Sequence, residues 1–105
     1  MIKYERVIIT PVSNVETMAS AAVVIGSTGK NKRVTGITTE PTATISVVAY
    51  RDTESICDID SEVFDAIGFA PLDCKLGVGE AFKVGLWSTS GTTAQDVTVQ
   101  YEESD

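Results

Sequence analysis

Apolar and polar residues alternate with a period of two in several segments of the chain. The pattern is clearest near the C-terminus, where Val97, Val99 and Tyr101 are separated by polar residues. Two earlier segments repeat it, at 43–50 and at 82–87. Because successive side chains of a strand point to opposite faces, this period predicts half-buried antiparallel β-strands.

Turn-forming sequences separate these strands and two further apolar segments, at 19–25 and 33–39. The last turn is predicted to join the final two strands as a loose hairpin. Strands at intervals near ten residues predict an all-β fold, an antiparallel β-sandwich of the jelly-roll or immunoglobulin-like kind. The turns lie at 26–31, 40–41, 51–54 and 88–93.

Residue usage supports this fold class. The chain contains 13 Val, 9 Ile and 13 Thr against 3 Leu, and β-branched residues favour strands over helices. The segment from Asp60 to Lys75 is the least regular: residues 60–67 predict at most one short helical turn, capped by Asp60 or Ser61, or a loop between sheets. Residues 2–12 are predicted to form an edge strand or an arm that pairs with a neighbour.

Length and charge limit the classes of function that the chain can have. The 105 residues allow a single domain, 1–105, with a core but no deep cavity. A net charge of −7 disfavours nucleic-acid binding, and the lack of histidine excludes histidine bases, triads and metal ligands. No apolar run is long enough to cross a membrane, and the N-terminus lacks the pattern of a secretory signal, so we expect synthesis in the cytoplasm. We predict no catalytic, cofactor-binding or metal-binding residue, and no enzyme activity.

Two charged clusters are candidate sites. Asp58, Asp60 and Glu62 are two residues apart, so an extended segment places them on one face, as a solvated acidic edge or a calcium site. The basic residues Lys30, Lys32 and Arg33 are interpreted as a solvated loop or as a contact for an acidic partner. A phosphate-binding loop is excluded there, because Gly26 and Gly29 lack the required spacing.

The two cysteines, Cys57 and Cys74, do not form a CxxC motif, and without histidine they cannot complete a zinc site. In a cytoplasmic protein we expect two reduced thiols, with a disulfide as the alternative.

Three aromatic residues are the candidates for partner contact: Tyr4, Tyr50 and Trp87. In regular strands Trp87 falls opposite the apolar face of 82–86, and Tyr50 falls opposite that of 45–49. Exposed rings on a sheet can bind a protein partner or stack on a sugar. The alternative is that a bulge at Gly85 turns Trp87 into the core, or that both sheet faces are partly covered.

The C-terminal part of the chain, 79–88 followed by 90–101, resembles the closing hairpin of the small β-sandwich proteins that decorate tailed-phage heads or form their fibres. The shared features are Val/Thr strands, Gly/Ser/Thr turns and an acidic composition. The resemblance implies a non-enzymatic virion protein, a capsid decoration or head-fibre subunit, made in the host cytoplasm and located on the virion surface. It implies binding to the major capsid protein or another virion protein, homo-oligomerisation, often as a trimer, and no cofactor. The alternative function is a carbohydrate- or ligand-binding β-sandwich module, with calcium at Asp58, Asp60 and Glu62.

Overall fold

The computed structural model describes residues 1–40, 45–89 and 94–104. The predicted strand start at 43–44, Pro41 and the turn residues 90–93 lie outside the described residues. The described elements, in chain order, are β1 (Ile2–Ile9), β2 (Thr17–Met18), β3 (Val24–Ile25), β4 (Asn31–Thr39), β5 (Ile45–Arg51), β6 (Glu54–Asp60), α1 (Val63–Ile67), β7 (Ala70–Leu76), β8 (Ala81–Ser88) and β9 (Gln95–Ser104).

The strands form two antiparallel sheets. Sheet 1 has the strand order β1-β9-β4-β7. Sheet 2 has the order β2-β8-β5-β6, and β3 pairs with β8 further along the edge that β2 occupies. Each sheet buries one face against the other, so the predicted all-β sandwich is confirmed.

The core lies between the inner faces of the two sheets. Val97 and Val99 of β9 are fully buried in sheet 1, and Phe82, Val84 and Leu86 of β8 are fully buried in sheet 2. Full burial of each such side chain contributes roughly 1.5–3 kcal/mol. The period-two alternation in these segments therefore predicted the buried face correctly.

The predicted hairpin between the last two strands is wrong. β8 pairs with β2, β3 and β5 in sheet 2, whereas β9 lies between β1 and β4 in sheet 1. The chain therefore ends β8 in one layer and begins β9 in the other. Alternation shows which face of a strand is buried but carries no information about its neighbours, so sequence proximity alone suggested the wrong partner.

The stretch after β6 contains both a helical turn and a strand. α1 is one short turn, as predicted, but its N-cap is Glu62 rather than Asp60 or Ser61. The Asp60 carboxylate instead accepts the Glu62 backbone N–H at 3.0 Å, just before the helix. β7 follows it and pairs with β4, although Pro71 within it reads as a strand breaker. Proline is tolerated there because β7 is an edge strand.

Only Val24–Ile25 of the apolar segment 19–25 forms a strand. β2 ends at Met18 and β3 begins at Val24, and the register against β8 shifts between them. Ser20 and Ala21 are exposed where the chain leaves the sheet. The backbone N–H groups of Ala19 and Val23 donate to Val84 O and Phe82 O of β8 at 2.9 Å each, so both ends of this segment are held to the edge of sheet 2.

Candidate functional site

The outer face of sheet 2 carries two of the three aromatic candidates. In the pairing of β5 with β8, Trp87 lies opposite Ser46 and Tyr50 lies opposite Lys83. The register is unbroken from Ile45 to Arg51, so no bulge at Gly85 turns the Trp87 ring inward. Trp87 is 37% exposed, and Tyr50 is half-buried on the same face. Both positions follow the sequence prediction for regular strands.

Between the two rings the outer face is apolar. Val48 of β5 lies opposite Gly85 of β8, and Met18 of β2 lies opposite Gly85 on its other side. A Cβ at Gly85 would overlap the Met18 sulfur and lie 2.8 Å from the Thr17 carbonyl oxygen. Glycine therefore lets β2 pack closely, and Val48 is only 7% exposed although it faces outward. Trp87, Val48, Met18 and Tyr50 form what we call the aromatic strip.

Carboxylates border the aromatic strip on both sides. On the β6 side, Asp60 lies opposite Ser46 and Asp58 lies opposite Val48, and both are exposed. On the β2 side, the Tyr50 hydroxyl donates a hydrogen bond to Glu16 Oε1 at 2.5 Å. That bond, followed by burial, raises the pKa of Tyr50 above its usual value. The bond fixes the orientation of the Tyr50 ring.

A shallow cavity of about 380 Å³ opens at the Tyr50 end of the strip. Asp52 helps to line it from the turn between β5 and β6, with a backbone φ of 54°. The Asp52 carboxylate accepts the Ala81 N–H at 3.0 Å, which holds this turn against β8. The single cation among the described lining residues is Lys83, so the site presents apolar surface with an acidic rim. Its lining residues are Glu16, Met18, Tyr50, Asp52, Thr53 and Lys83.

Tyr4 does not join this site. It lies on β1 at the edge of sheet 1, opposite Gln100, in the other layer of the sandwich. Its ring is exposed on the outer face of that sheet, with Ile2 and Ile8. The three aromatic candidates therefore divide between two separate surfaces.

The acidic triplet is not gathered into a metal site. Asp58 and Asp60 share the outer face of β6, but Glu62 lies beyond the strand, at the start of α1. Within residues 1–40, 45–89 and 94–104, no group of three or more carboxylates and thiols is placed to hold a metal ion. The arrangement fits a charged strand edge.

The basic cluster is larger than the sequence indicated. The pairing of β4 with β7 places Lys75 opposite Arg33, beside Lys32, around a cavity of about 370 Å³. Arg33 Nε lies 3.4 Å from Asp73 Oδ1, and Lys32 Nζ lies 3.8 Å from Glu103 Oε2. Only the strand pairing brings Lys75 and Glu103 to this position, so no local sequence signal could reveal them. The neighbouring carboxylates neutralise much of the cluster.

Both cysteines are free thiols, as expected for a reduced protein, and they lie in different sheets. Burial, and next the nearby Asp58 charge, raise the pKa of Cys57 to about 11. Burial also raises the pKa of Cys74. A raised pKa leaves little thiolate near neutral pH, so neither side chain is an activated nucleophile.

Comparison with known proteins supports the fold. No family model matches the chain, and no curated protein matches it. Among solved structures, the nucleoplasmin-like N-terminal domain of Drosophila FKBP39 is similar, with a TM-score of 0.52 and 11% sequence identity. The match covers 100% of this chain and 92% of that domain. Likeness at this identity shows the β-sandwich architecture alone. Among the described residues, no helix has the length and apolar content needed to cross a membrane.

Proposed function

We propose that the protein is a non-enzymatic virion structural protein, a capsid decoration or head-fibre subunit that binds the assembled capsid through the aromatic strip. The proposal rests on the composition of the outer face of sheet 2. There Trp87 is exposed on a rigid sheet, next to an apolar centre and a carboxylate rim. The capsid as partner, and the virion surface as location, come from the resemblance of the C-terminal segment in strand and turn composition, although its two strands lie in different sheets and form no hairpin.

The chemistry of the strip suits a protein surface better than an enclosed small ligand. Aromatic side chains that become buried at the centre of an interface contribute most of its binding energy. Tyr50 is held in place by Glu16, so little side-chain entropy is lost when it is covered. Asp58 and Asp60 at the rim favour lysine and arginine side chains on the capsid subunit.

Repetition of subunits strengthens such an interaction. A capsid displays many identical copies of its major protein, so a modest affinity at each site gives stable decoration when the bound molecules are themselves linked. The function therefore needs a flat, stable surface and a way to associate, and it needs no reactive group.

Binding to capsids that are assembled from the major capsid protein encoded with this chain tests the proposal. Trp87→Ser is expected to weaken binding roughly tenfold or more, because it removes the exposed anchor while leaving the core intact. Ile8→Ser is the matched control, since Ile8 is also exposed and apolar but lies on the outer face of sheet 1. Cosedimentation over a range of protein concentrations measures both.

The fluorescence of Trp87 gives a second readout, because it is the single tryptophan of the chain. Burial of its ring against a capsid shifts its emission to shorter wavelength. Failure of the wild-type protein to bind these capsids, or equal binding by Trp87→Ser and wild type, contradicts the proposal. An emission shift with soluble oligosaccharides but not with capsids would favour the carbohydrate-binding alternative, which the exposure of Trp87 and Tyr50 on one face also supports.

A further inference from the structure

The free edge of β1 is ready to accept another strand. β1 pairs with β9 in an unbroken register from Ile2↔Glu102 to Ile9↔Gln95. Met1 and Glu103 extend this ladder by exchanging two backbone hydrogen bonds of 2.9 Å each. Because bonded residues alternate in an antiparallel pair, the N–H and C=O groups of residues 2, 4, 6 and 8 point away from β9. In the described structure these groups face an edge with no strand beside it.

The other sheet edges of the described structure are protected against pairing. β7 contains Pro71, which has no N–H, and its pairing with β4 is bulged. β6 is bulged against β5 and carries Asp58 and Asp60. The edge formed by β2 and β3 is interrupted between residues 19 and 23. Bulges, prolines, charges and short strands are the devices that keep natural edges from associating. β1 has no bulge and no proline, and its three charged residues, Lys3, Glu5 and Arg6, are of both signs, so they can complement those of another strand.

The side chains of β1 also distinguish it from the other edge strands. Ile2, Tyr4 and Ile8 are 52%, 65% and 63% exposed on the outer face of sheet 1. A long, regular edge with apolar side chains is a template for a further strand.

The geometry points to a second copy of this chain as the occupant: two β1 strands pair antiparallel about a two-fold axis at Tyr4, which joins two copies of sheet 1 into one continuous sheet. In this register Tyr4 lies opposite the partner copy's Tyr4, and Ile2 lies opposite its Arg6. The backbone N–H and C=O groups of residues 2, 4 and 6 point away from β9 and toward the second copy. The pairing therefore forms about six hydrogen bonds. The two Tyr4 rings meet as a cross-strand aromatic pair.

Charge complementarity selects this register. With Tyr4 on the axis, Lys3 of each copy lies opposite Glu5 of the other. Lys3 Nζ is 3.2 Å from Glu103 Oε1, but Glu103 is shared with Lys32, so two cations have one carboxylate between them. Within the described part of the chain Glu5 takes part in no ion pair within 4 Å, although, after the hydrogen bond with Glu103, its charge contributes to the raised pKa of Lys3. Glu5 of a second copy supplies the missing negative charge.

Neighbouring registers are less favourable. An axis at Glu5 places two carboxylates directly opposite each other, and an axis at Arg6 does the same with two guanidinium groups. Like charges directly opposite each other across a strand pair are destabilising. An odd shift is excluded, because it would place outer-face side chains of one copy on the inner face of the other.

This inference goes beyond the proposed capsid binding, since it concerns the opposite layer and needs no capsid. Sedimentation equilibrium of the purified full chain tests it. A single pair of strands buries less area than a standard interface, so we expect a dimer that dissociates in the micromolar to millimolar range. Glu5→Lys, which sets two ammonium groups opposite each other at both Lys3 positions, is expected to weaken association at least tenfold. Glu62→Lys makes the same charge change at an exposed position far from β1 and is the matched control.

The register is tested by cysteine cross-linking. Tyr4→Cys is expected to form a disulfide-linked dimer under mild oxidation, because directly opposed residues lie about 5.5 Å apart between Cα atoms. Ile8→Cys, on the same face of the same strand but beyond the overlap, is expected to remain monomeric on non-reducing gels, as is the wild type with its native thiols.

A strict monomer at millimolar concentration, a trimer such as the resemblance implies, or undiminished association of Glu5→Lys overturns the inference. Cross-linking at residue 8 rather than residue 4 overturns the register. The Trp87→Ser variant is expected to dimerise like the wild type, so failure of capsid binding and failure of dimerisation are distinguishable.

Discussion

Gly36 lies at the bulge of β4, on the outer face of sheet 1, and its lack of a side chain makes room for the ring of Phe69. A Cβ at this position would overlap three atoms of that ring. The ring is the flexible part of the contact, so an alanine is accommodated only if Phe69 moves out toward solvent and loses its packing.

Gly36→Ala is therefore expected to lower the free energy of unfolding by about 1–2 kcal/mol. In a Phe69→Ala background the same substitution is expected to be neutral or stabilising, since the obstacle is gone and alanine restricts the unfolded chain more than glycine does. Urea denaturation of the two single variants and the double variant measures this coupling. Equal costs in both backgrounds would show that the Phe69 ring is not the obstacle.

At the scale of one element, β1 places two adjacent isoleucines, Ile8 and Ile9, in opposite environments. Ile9 is 3% exposed and contributes to the core, whereas Ile8 points outward opposite Asp96. The same residue type at adjacent positions therefore has opposite roles, which are set by the pleat of the strand alone.

Ile9→Ala is expected to destabilise the protein by about 2–4 kcal/mol through lost burial and an unfilled cavity, and Ile8→Ala by less than about 0.5 kcal/mol. Thermal and chemical unfolding of the two variants provide the measurement. A larger loss at Ile8 than at Ile9 would mean that β1 is displaced by one residue from the register with β9, because such a shift exchanges the two faces of the strand. Neither substitution touches the overlap centred on Tyr4, so dimerisation serves as an internal check of folding.

Single strands also show which features can be predicted from the sequence and which depend on strand pairing. Period-two alternation correctly placed Phe82, Val84 and Leu86 inside, because the pleat is a local property of the strand. For Trp87 it left an outer and an inner position open, and the unbroken register of β5 with β8 places it on the outer face. It gave no indication of Lys75 beside Arg33, or of Met18 over Gly85, because these contacts depend on which strands pair. Residues 70–76 were not recognised as a strand, because Pro71 is a breaker in a central strand and is tolerated at an edge.

For the whole molecule, the two proposed surfaces lie on opposite layers of the sandwich. The aromatic strip faces outward from sheet 2, and the pairing edge belongs to sheet 1. A two-fold axis that joins two copies of sheet 1 into one continuous sheet runs perpendicular to that sheet. Both copies of sheet 2 then lie on the same side of the joined sheet, and both aromatic strips face the same way. Such a dimer is bivalent toward a flat capsid surface.

Bivalency predicts a kinetic difference that neither surface produces alone. Wild-type protein is expected to leave immobilised capsids roughly 10²-fold more slowly than Glu5→Lys, because one strip can rebind while the other holds the dimer in place. If the protein is diluted before loading, it binds as a monomer, and the difference in dissociation rate between wild type and Glu5→Lys should shrink. Trp87→Ser should speed the dissociation of both the monomer and the dimer. Surface plasmon resonance on capsids at several loading concentrations resolves the two effects. Equal dissociation rates for wild type and Glu5→Lys at high loading would mean that the two strips do not engage one capsid together, even if each proposed surface functions by itself.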